Sequence, residues 1–315
     1  MAIREGLPKG FVLAKPIAQE GYDESVIYEL ERQGRLIITR KRDGWKMIAV
    51  MDPKGVRLYT DGVNEIDSRF DYIKEELSKC KVLMGHVLVG EAIVDVEGSD
   101  DIGKVISIFH SSTSKSIKLQ REVGKAKFML FGVISLEESY YWSVENVLQA
   151  FTKDSFEFIF PAPIIRASFA EAKKLAVQHG WEGLVLYDKE YRLTYRLDGK
   201  APARPKGCYK WKPILEDDFI VRSWRPSPND PGKLKDLVLS QIDPATGEEF
   251  ECGKLGSFDK QTREFLTNGI QYPFVVQVAF EMRFPKTGKI RNARFLRVRA
   301  DKPIKQCIAP KSFGK

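Results

Sequence analysis

The sequence predicts an α+β domain followed by a small all-β barrel. Up to Pro213, helical and strand patterns are interspersed without the regular strand–helix alternation of a parallel sheet. After Pro213 the chain changes to short runs of alternating apolar and polar residues, separated by Pro, Gly, Asp and Asn. Such a pattern is typical of a small barrel. We therefore predict two domains, residues 1–213 and residues 214–315.

The first domain contains a predicted hairpin and two predicted helices. Residues 46–60 (KMIAVMDPKGVRLYT) are strand-like on both sides of the turn sequence Asp-Pro-Lys-Gly. Residues 67–80 place apolar side chains at helical spacing. Residues 168–181 begin with a capping-box pattern, Ser168 and Glu171, and a glycine ends the predicted helix.

Three further segments are predicted strands: residues 82–95, 128–136 and 183–188. The second of them, FMLFGVISL, is the longest apolar candidate, and it is shorter than the run of about 18 residues that a membrane-spanning helix needs. The first ten residues, MAIREGLPKG, contain charges and no apolar signal region. We therefore expect a cytoplasmic protein with no membrane partner.

The composition favours a globular protein with a polyanionic partner. The chain has 315 residues, of which 43% are hydrophobic and 30% charged, and its net charge is +8. A basic excess of this size favours nucleic acids or nucleotides. The four cysteines and three histidines are scattered along the chain, which argues against a zinc site or a Ser-His-Asp triad and favours reduced thiols.

Positive charge is concentrated near the C-terminus. Residues 282–315 contain eleven Lys and Arg but one acidic residue, Asp301. Phe284, Ile290, Phe295, Leu296 and Val298 alternate with the cations. On a strand this alternation places the apolar set in the core and the basic set on one outward face, which suits phosphates. A solvated strand face is the alternative explanation.

Lys41 is the first candidate for a reactive side chain. It lies in TRKRDGWK, residues 39–46, between Arg40 and Arg42 and just before Asp43-Gly44. Nearby cations disfavour a further charge and so promote the neutral, nucleophilic amine of a lysine. The glycine would let a phosphate approach the backbone closely. Without other matching motifs, a surface β-turn would be the better explanation of these residues.

Other short motifs follow Lys41 in a fixed order. Each is weak by itself: Phe131 lies in an apolar run that is also compatible with a core strand, and Lys210 and Lys212 are two apart, as on one face of any strand. The series comprises Gly90-Glu91 in LVGEAIVD, Phe131 in FMLFGVISL, Glu182-Gly183 in WEGLVLYD, Lys210 and Lys212 in YKWKP, and Arg294, Arg297, Arg299, Asp301 and Lys302 in ARFLRVRADKP.

Taken together, these motifs resemble those of the covalent nucleotidyltransferase superfamily, which includes ATP-dependent DNA ligases, RNA ligases and messenger-RNA capping enzymes. The resemblance is greatest to the small ATP-dependent DNA ligases of viruses and bacteria, and it covers about residues 36 to 303. It implies a nucleotidyltransferase (adenylation) domain of antiparallel sheets and helices, followed by an OB-fold barrel. It also implies a monomer that takes ATP and Mg²⁺ and acts on nicked double-stranded DNA.

The resemblance implies a three-step reaction. Lys41 attacks the α-phosphorus of ATP and forms lysyl-AMP, with release of pyrophosphate. The AMP then moves to the 5′-phosphate at a nick, and the 3′-hydroxyl finally displaces AMP and closes the DNA backbone.

The other motif residues acquire roles by the same resemblance. Two lysines neutralise the α-phosphate, and two carboxylates bind the ribose and the metal; an aromatic ring stacks on adenine. The assignments are Lys41, Asp43, Lys210 and Lys212 for catalysis; Thr39, Lys46, Glu91, Phe131, Arg299, Asp301 and Lys302 for binding ATP; Glu182 for Mg²⁺; and Arg294 and Arg297 for DNA.

The sequence departs from the family pattern at four places. Lys46 stands where arginine is usual and loses the planar fork of that side chain. Asp61 stands where an arginine is expected to contact the nick phosphate, and Arg57 or Arg69 is the candidate substitute. Gly132 replaces a common aspartate, and Thr39 occupies a position where many relatives have glutamate.

Three alternatives stay open at this point. An RNA ligase shares the first five motifs, and a capping guanylyltransferase shares both domains but uses GTP. A non-catalytic OB-fold protein that binds nucleic acid would explain the basic C-terminal strands, but it gives no reason for the glutamates and paired lysines. In a ligase without further domains, residues 222–236 (RSWRPSPNDPGKLKD) are a candidate mobile loop over DNA.

Overall fold

The chain folds into two compact units, Met1–Trp211 and Lys212–Lys315. The structure, a computed structural model, describes residues 6–96, 99–135, 141–142, 147, 156–284 and 287–313. Helices and mainly antiparallel sheets occur together in the first unit, so the predicted α+β class is confirmed at that level. The helices in the described part of the chain are all too short or too polar to span a membrane.

The first unit contains five helices and thirteen strands among its described residues. The helices are α1 (Ser25–Arg32), α2 (Asp71–Lys79), α3 (Ile102–His110), α4 (Thr113–Val123) and α5 (Phe169–Gln178). The strands are β1 (Val12–Leu13), β2 (Leu36–Lys41), β3 (Trp45–Asp52), β4 (Gly55–Thr60), β5 (His86–Ile93), β6 (Asp95–Val96), β7 (Ser99–Asp100), β8 (Lys127–Ser135), β9 (Tyr141–Trp142), β10 (Ile159–Pro161), β11 (Gly183–Asp188), β12 (Tyr195–Arg196) and β13 (Cys208–Trp211).

The larger sheet of this unit has the order β10-β8-β5-β3-β4, with β9 beside β8. All its pairings are antiparallel except that of β10 with β8. Alternate residues of β3 enter different cores: Met47, Ala49 and Met51 pack in the cluster that includes α2 and α3, whereas Ile48 and Val50 pack on the opposite face. The two-residue period of a strand therefore builds a core on each face of the sheet.

The smaller sheet has the order β13-β11-β2 and is antiparallel throughout. Helices α1 and α5 cover one face, where Ile27 and Phe169 are fully buried. On the other face, Ile37 of β2 shares a cluster with Met129 of β8, so the two sheets face each other there. That shared cluster lies beside the pocket described below.

The second unit is built on a five-stranded antiparallel sheet. Its elements are β14 (Leu215–Ser227), β15 (Asp230–Ile242), β16 (Glu249–Leu255), α6 (Lys260–Asn268), β17 (Phe274–Phe280), β18 (Met282–Arg283), β19 (Ile290–Arg291) and β20 (Arg294–Val298). The sheet order is β16-β15-β14-β17-β20, and β18 pairs with β19. A cluster that includes Phe219, Leu239 and Val276 forms the main core of this unit.

Several predicted elements are confirmed. The hairpin over residues 46–60 corresponds to β3 and β4, and residues 67–80 contain a turn of 3-10 helix followed by α2. Helix α5 begins with the predicted capping box of Ser168 and Glu171. The cysteines are four buried, free thiols, as expected.

The prediction of a loop over residues 222–236 is wrong. These residues form the ends of β14 and β15, which make one long hairpin with irregular register near Pro226. Trp224 and Leu234 pack in the core of the second unit, and Arg225 makes two hydrogen bonds to Asp236, at 2.6 and 2.7 Å. The irregularities accommodate a proline that a regular inner strand would exclude.

The alternation predicted for the last strand is also partly wrong. Phe295 and Val298 of β20 pack toward the core, but Leu296 is 43% exposed and lies outward, as does Arg297. A register shift in the pairing of β17 with β20, between Gln277 and Val278, accounts for two successive outward residues.

Candidate active site

The first unit has a pocket of about 250 Å³ lined by strands of both sheets. One side is mainly apolar and the other carries lysines and a glutamate. The lining residues are Leu13, Ala14, Lys15, Pro16, Thr39, Arg40, Lys41, Arg42, Lys46, Val89, Glu91, Met129, Phe131, Ala162, Val185, Tyr187, Tyr191, Leu193, Cys208 and Lys210. The structure thus brings together six residues that the sequence analysis named from separate motifs: Thr39, Lys41, Lys46, Glu91, Phe131 and Lys210.

Lys41 is the last residue of β2 and reaches the charged side of the pocket. Its backbone pairs with Gly183 of β11, so the preceding residue, Glu182, lies next to it. The Lys41 Nζ is 2.6 Å from the Glu182 Oε2, and the two side chains are 26% and 9% exposed. An amine and a carboxylate from different motifs therefore form one ion pair.

The cationic surroundings predicted for Lys41 are largely compensated by acids. Asp100 of β7 accepts hydrogen bonds from Arg40 and Arg42, and Asp95 of β6 accepts a second one from Arg42. Together with the Glu182 pair, these contacts leave Lys41 among balanced charges. Both arginines beside Lys41 therefore have acidic partners, which the sequence did not predict.

Gly44 lies in the turn that follows Lys41. A Cβ atom at this position would lie 2.4 Å from the Ala92 backbone oxygen and 2.7 Å from the Glu91 Cγ. Only glycine permits this approach of the turn to β5. The close contact sets the position of Asp43, which is 9% exposed.

Glu91 and Lys46 are cross-strand partners on β5 and β3. Burial raises the pKa of Glu91 from 4.5 to about 7; the charges of Lys41 and Lys46 oppose the rise, and those of Glu182 and Asp43 add to it. A half-buried carboxylate flanked by two lysines can accept hydrogen bonds from a sugar hydroxyl.

Lys46 also forms an ion pair outside the strand ladder. Its Nζ lies 3.2 Å from the Asp61 Oδ1. These are two of the four positions at which the sequence departs from the family pattern, so the two departures compensate each other in charge.

The apolar side of the pocket is suited to a flat ring. Phe131 of β8 and Val185 of β11 both line it. Thr39 is buried, with its Oγ1 donating to the Val185 carbonyl at 3.4 Å. Gly90 allows β5 to approach β8, since a Cβ atom there would lie 2.2 Å from the Met129 oxygen, and the register of the two strands shifts at this point.

Lys210 and Lys212 belong to different units. Lys210 is on β13, pairs with Val185 and lines the pocket. Strand β13 ends at Trp211, which is 7% exposed, and Lys212 belongs to the second unit. There its Nζ lies 2.7 Å from the Glu281 Oε2.

The candidate pyrophosphate residues converge on Asp218, an acid that the sequence analysis did not name. Arg299 Nη1 lies 3.2 and 3.1 Å from the two carboxylate oxygens of Asp218, and Lys302 Nζ lies 2.7 Å from one of them. Arg299 makes two further hydrogen bonds of 2.9 Å to Asp301, and its guanidinium holds the pKa of that carboxyl at about 2. Arg299, Asp301 and Lys302 thus form one cluster within the second unit.

The four candidate DNA-contacting arginines lie in different settings. Arg69 binds Asp67 and donates to the carbonyls of Ile108, Phe109 and Ser111 at the end of α3. Arg57 pairs with Asp52, which is 2% exposed. Both side chains are therefore used inside the first unit, whereas Arg294 and Arg297 lie on β20, where Arg297 donates to Gln277 at 2.8 Å.

Asp95, Asp100, Asp218 and Glu281 are charged residues near the candidate site residues that sequence reasoning missed. Asp100 lies 58 residues from Arg42 in the chain, and no motif surrounds it. The one sequence signal for Asp100 was its position shortly after a predicted strand that ends in the acidic Asp95. The structure describes no cluster of three or more metal-ligating side chains within the residues it covers.

Comparison with solved structures identifies the fold. A Lig E DNA ligase, from a study of DNA binding with a minimal scaffold, matches 84% of this chain and 93% of its own, with a TM-score of 0.58 and 19% identity. The structure named Pmar-Lig_Pre matches 93% of this chain and 69% of its own, with a TM-score of 0.63 and 18% identity. The structure named Pmar-Lig_PreS3 gives a TM-score of 0.61 at 18% identity, over 91% of this chain and 67% of its own.

The sequence itself gives no such match. No protein-family model matches it, and neither does any curated protein. The predicted resemblance to the DNA ligases is therefore confirmed at the level of the fold, over most of the chain.

Proposed function

We propose that this chain is an ATP-dependent DNA ligase that seals nicks with a 5′-phosphate and a 3′-hydroxyl in duplex DNA. The observation that carries the proposal is the pocket itself. It joins Lys41, Glu91, Phe131 and Lys210, residues from four separate motifs, on a fold shared with solved DNA ligases. A protein that only bound nucleic acid would need no lysine–glutamate pair beside a nucleotide-sized cavity.

In the proposed first step, the base of ATP occupies the apolar side of the pocket, against Phe131. Glu91 accepts hydrogen bonds from the ribose, and Lys210 faces the α-phosphate and neutralises the charge that develops there. Lys41 Nζ attacks the α-phosphorus; the N–P bond forms, the bond to the β-phosphate oxygen breaks, and pyrophosphate leaves with the electron pair. The Glu182 carboxylate, 2.6 Å from Nζ, orients the amine, and the proton that Lys41 loses passes to water.

Lys41 then passes AMP to the 5′-phosphate of the nick, and the 3′-hydroxyl displaces AMP. By the family resemblance, Asp43 acts in these later steps. Its backbone N–H is fixed by Asp100 at 3.0 Å, and its side chain is buried next to the turn.

We propose that Mg²⁺ binds beside the Lys41–Glu182 pair. Magnesium sites that handle phosphates use one or two carboxylates together with substrate oxygens, and Glu182 is the carboxylate that would hold it here. When bound, the ion would neutralise phosphate charge.

For the second unit we propose an OB fold that acts in ATP loading and DNA binding. Five antiparallel strands with one helix between β16 and β17 agree with that proposal. In this reading Arg299, Asp301 and Lys302 orient the pyrophosphate, Lys212 approaches the α-phosphate during loading, and Arg294 and Arg297 contact DNA phosphates. Arg57 and Arg69 are the weaker DNA candidates, because internal partners occupy them.

We further propose a cytoplasmic monomer.

Mass spectrometry of the protein after incubation with ATP and Mg²⁺ tests the proposal. We expect a species that carries one adenylate on Lys41, and we expect Lys41→Ala to abolish both this species and repeated nick sealing. The fold should survive, because the substitution removes a cleft amine and no core volume. The matched control is Lys54→Ala, because Lys54 is an exposed lysine in the turn between β3 and β4. This variant should behave like the unaltered protein.

The same assay separates the alternatives. Labelling from GTP in place of ATP would assign a guanylyltransferase, and sealing of nicked RNA but not nicked DNA would assign an RNA ligase. A protein that binds nicked DNA but forms no covalent nucleotide adduct would be the non-catalytic alternative and would end the proposal.

A further inference from the structure

One buried carboxylate holds the residues on both sides of Lys41. Asp100 Oδ1 accepts a hydrogen bond from Arg42 Nε at 2.6 Å, and its Oδ2 accepts from Arg40 Nη2 at 3.2 Å and from the Asp43 backbone N–H at 3.0 Å. The Asp100 side chain is 5% exposed. Arg40, Arg42 and Asp43, which lie next to Lys41 in the chain, thus all bind the same side chain.

Arg40 and Arg42, the two arginines that bind Asp100, lie on either side of Lys41 and line the same pocket. Arg40 also lies over the Trp181 ring, at 5.3 Å from its centroid, and the next residue is Glu182, the partner of Lys41. The strand end is therefore held by Asp100, through the residues beside Lys41, and by Glu182, through Lys41 itself.

The electrostatics make Asp100 difficult to replace. Burial lowers the pKa of Arg40, and the nearby Arg42 lowers it further, while Asp100 and Asp95 oppose both effects. A buried guanidinium that lost its carboxylate would have to move toward water or repel its neighbour. Either movement would displace the segment that carries Lys41.

We propose that Asp100 is a positioning residue that aims Lys41 into the nucleotide pocket and fixes the Asp43 backbone behind it. The proposal rests on the proposed function for the role of Lys41, but its structural part concerns the segment 40–43 alone. Asp100 touches no substrate in this scheme, and it acts through the two arginines and one backbone N–H.

Single-turnover formation of lysyl-AMP in Asp100→Ala is the test. We expect the rate at saturating ATP to fall about a hundredfold, because a displaced nucleophile loses its alignment with the phosphorus. The KM for ATP should stay within about threefold, since the residues lining the base and ribose sides are unchanged. Hydrogen exchange at the Asp43 amide should accelerate in the same variant, with or without nucleotide.

Asp101→Ala is the matched control. Asp101 is the adjacent acid, and its side chain accepts a hydrogen bond from the Lys104 N–H at the start of α3. Its loss should lower stability through the helix cap but leave the lysyl-AMP rate within about threefold of the unaltered protein. A slow Asp100 variant beside a normal Asp101 variant would exclude general destabilisation as the cause.

The outcomes are distinguishable from failure of the proposed function. If the unaltered protein forms no lysyl-AMP, the ligase proposal fails, and hydrogen exchange at Asp43 still decides the positioning inference. An Asp100→Ala protein with unchanged exchange and an unchanged rate would overturn the inference. If this variant does not fold, Asp100→Asn, which keeps the size and loses the charge, takes its place. A rate of lysyl-AMP formation that is about tenfold lower at constant KM supports the inference, and an unchanged rate overturns it.

Discussion

Glu91 connects the charge of the pocket to the stability of the fold. Burial raises its pKa to about 7 in the folded chain, whereas 4.5 is the ordinary value expected of the unfolded chain. Between those two values the folded state holds more protons, so ionisation of Glu91 reduces stability as pH rises through this window. The loss is complete above about pH 7.

The substitution Glu91→Gln should therefore stabilise the empty protein at pH 8. The gain should reach about 3 kcal/mol, at about 1.4 kcal/mol for each pH unit between the two pKa values, and should disappear below about pH 4.5. Denaturant unfolding across this pH range measures it. The exposed Glu75→Gln of α2 is the control and should show no such dependence; parallel pH curves for the two variants would contradict the assignment. Loss of lysyl-AMP formation should accompany the stability gain, because the amide lacks the charged acceptor for the ribose.

The residues that the sequence could identify are those with a local signature. Lys41, Glu91 and Glu182 each stand beside a glycine or a turn at the end of a strand pattern, and the structure brings them within one pocket region. Asp100 and Asp218 have no such signature, because their role comes from contacts made 58 and 84 residues away in the chain. Single positions on short strands carry that information only after the sheet has formed.

The turn between β2 and β3, which contains Gly44, determines the position of the candidate nucleophile Lys41. Gly44→Ala would place a Cβ atom 2.4 Å from the Ala92 oxygen, a contact with backbone that no rotamer can relieve. We expect it to destabilise the first unit by about 1–3 kcal/mol, as overpacking does, and to slow lysyl-AMP formation by displacing Lys41.

Gly62→Ala is the matched control for this element. Gly62 follows β4, and its nearest neighbour to a new Cβ would be the Asn64 side-chain nitrogen at 3.4 Å. Chemical unfolding of both variants should separate them clearly. Equal stability of the two proteins would mean that the turn tolerates a side chain and does not constrain Lys41.

Elements with strong local signals were predictable, and elements stabilised mainly by packing were not. The hairpin β3–β4 and helix α5 carry turn residues and a capping box. Helix α3 is rich in isoleucine and valine, which favour strands by propensity, and it becomes a helix because Val105 and Ile108 pack in the core of the larger sheet. Helix α6 has an N-cap at Asp259, whose side chain accepts from the Thr262 N–H, a signal that the sequence reading passed over.

At the scale of the whole molecule, each unit has its own hydrophobic clusters. The four clusters of the first unit contain residues up to Trp211, and the two clusters of the second begin at Leu215. The candidate reactive amine belongs to the first unit, and the Arg299–Asp301–Lys302 cluster belongs to the second. The proposed reaction therefore assigns the second cluster to one step, ATP loading, in which pyrophosphate leaves.

This assignment predicts a step-specific defect for Asp218→Asn. Asp218 holds both Arg299 and Lys302, so its loss should release the two cations and slow lysyl-AMP formation about tenfold. Sealing of a nick that already carries 5′-AMP needs no pyrophosphate and should be unchanged. Asp217→Asn, the neighbouring acid that binds Arg283 and Gln241, is the control and should affect neither rate by more than about threefold. If Asp218→Asn slowed lysyl-AMP formation and sealing of the adenylated nick equally, the cluster would instead bind DNA or support the fold. The proposed role in pyrophosphate release would then be wrong.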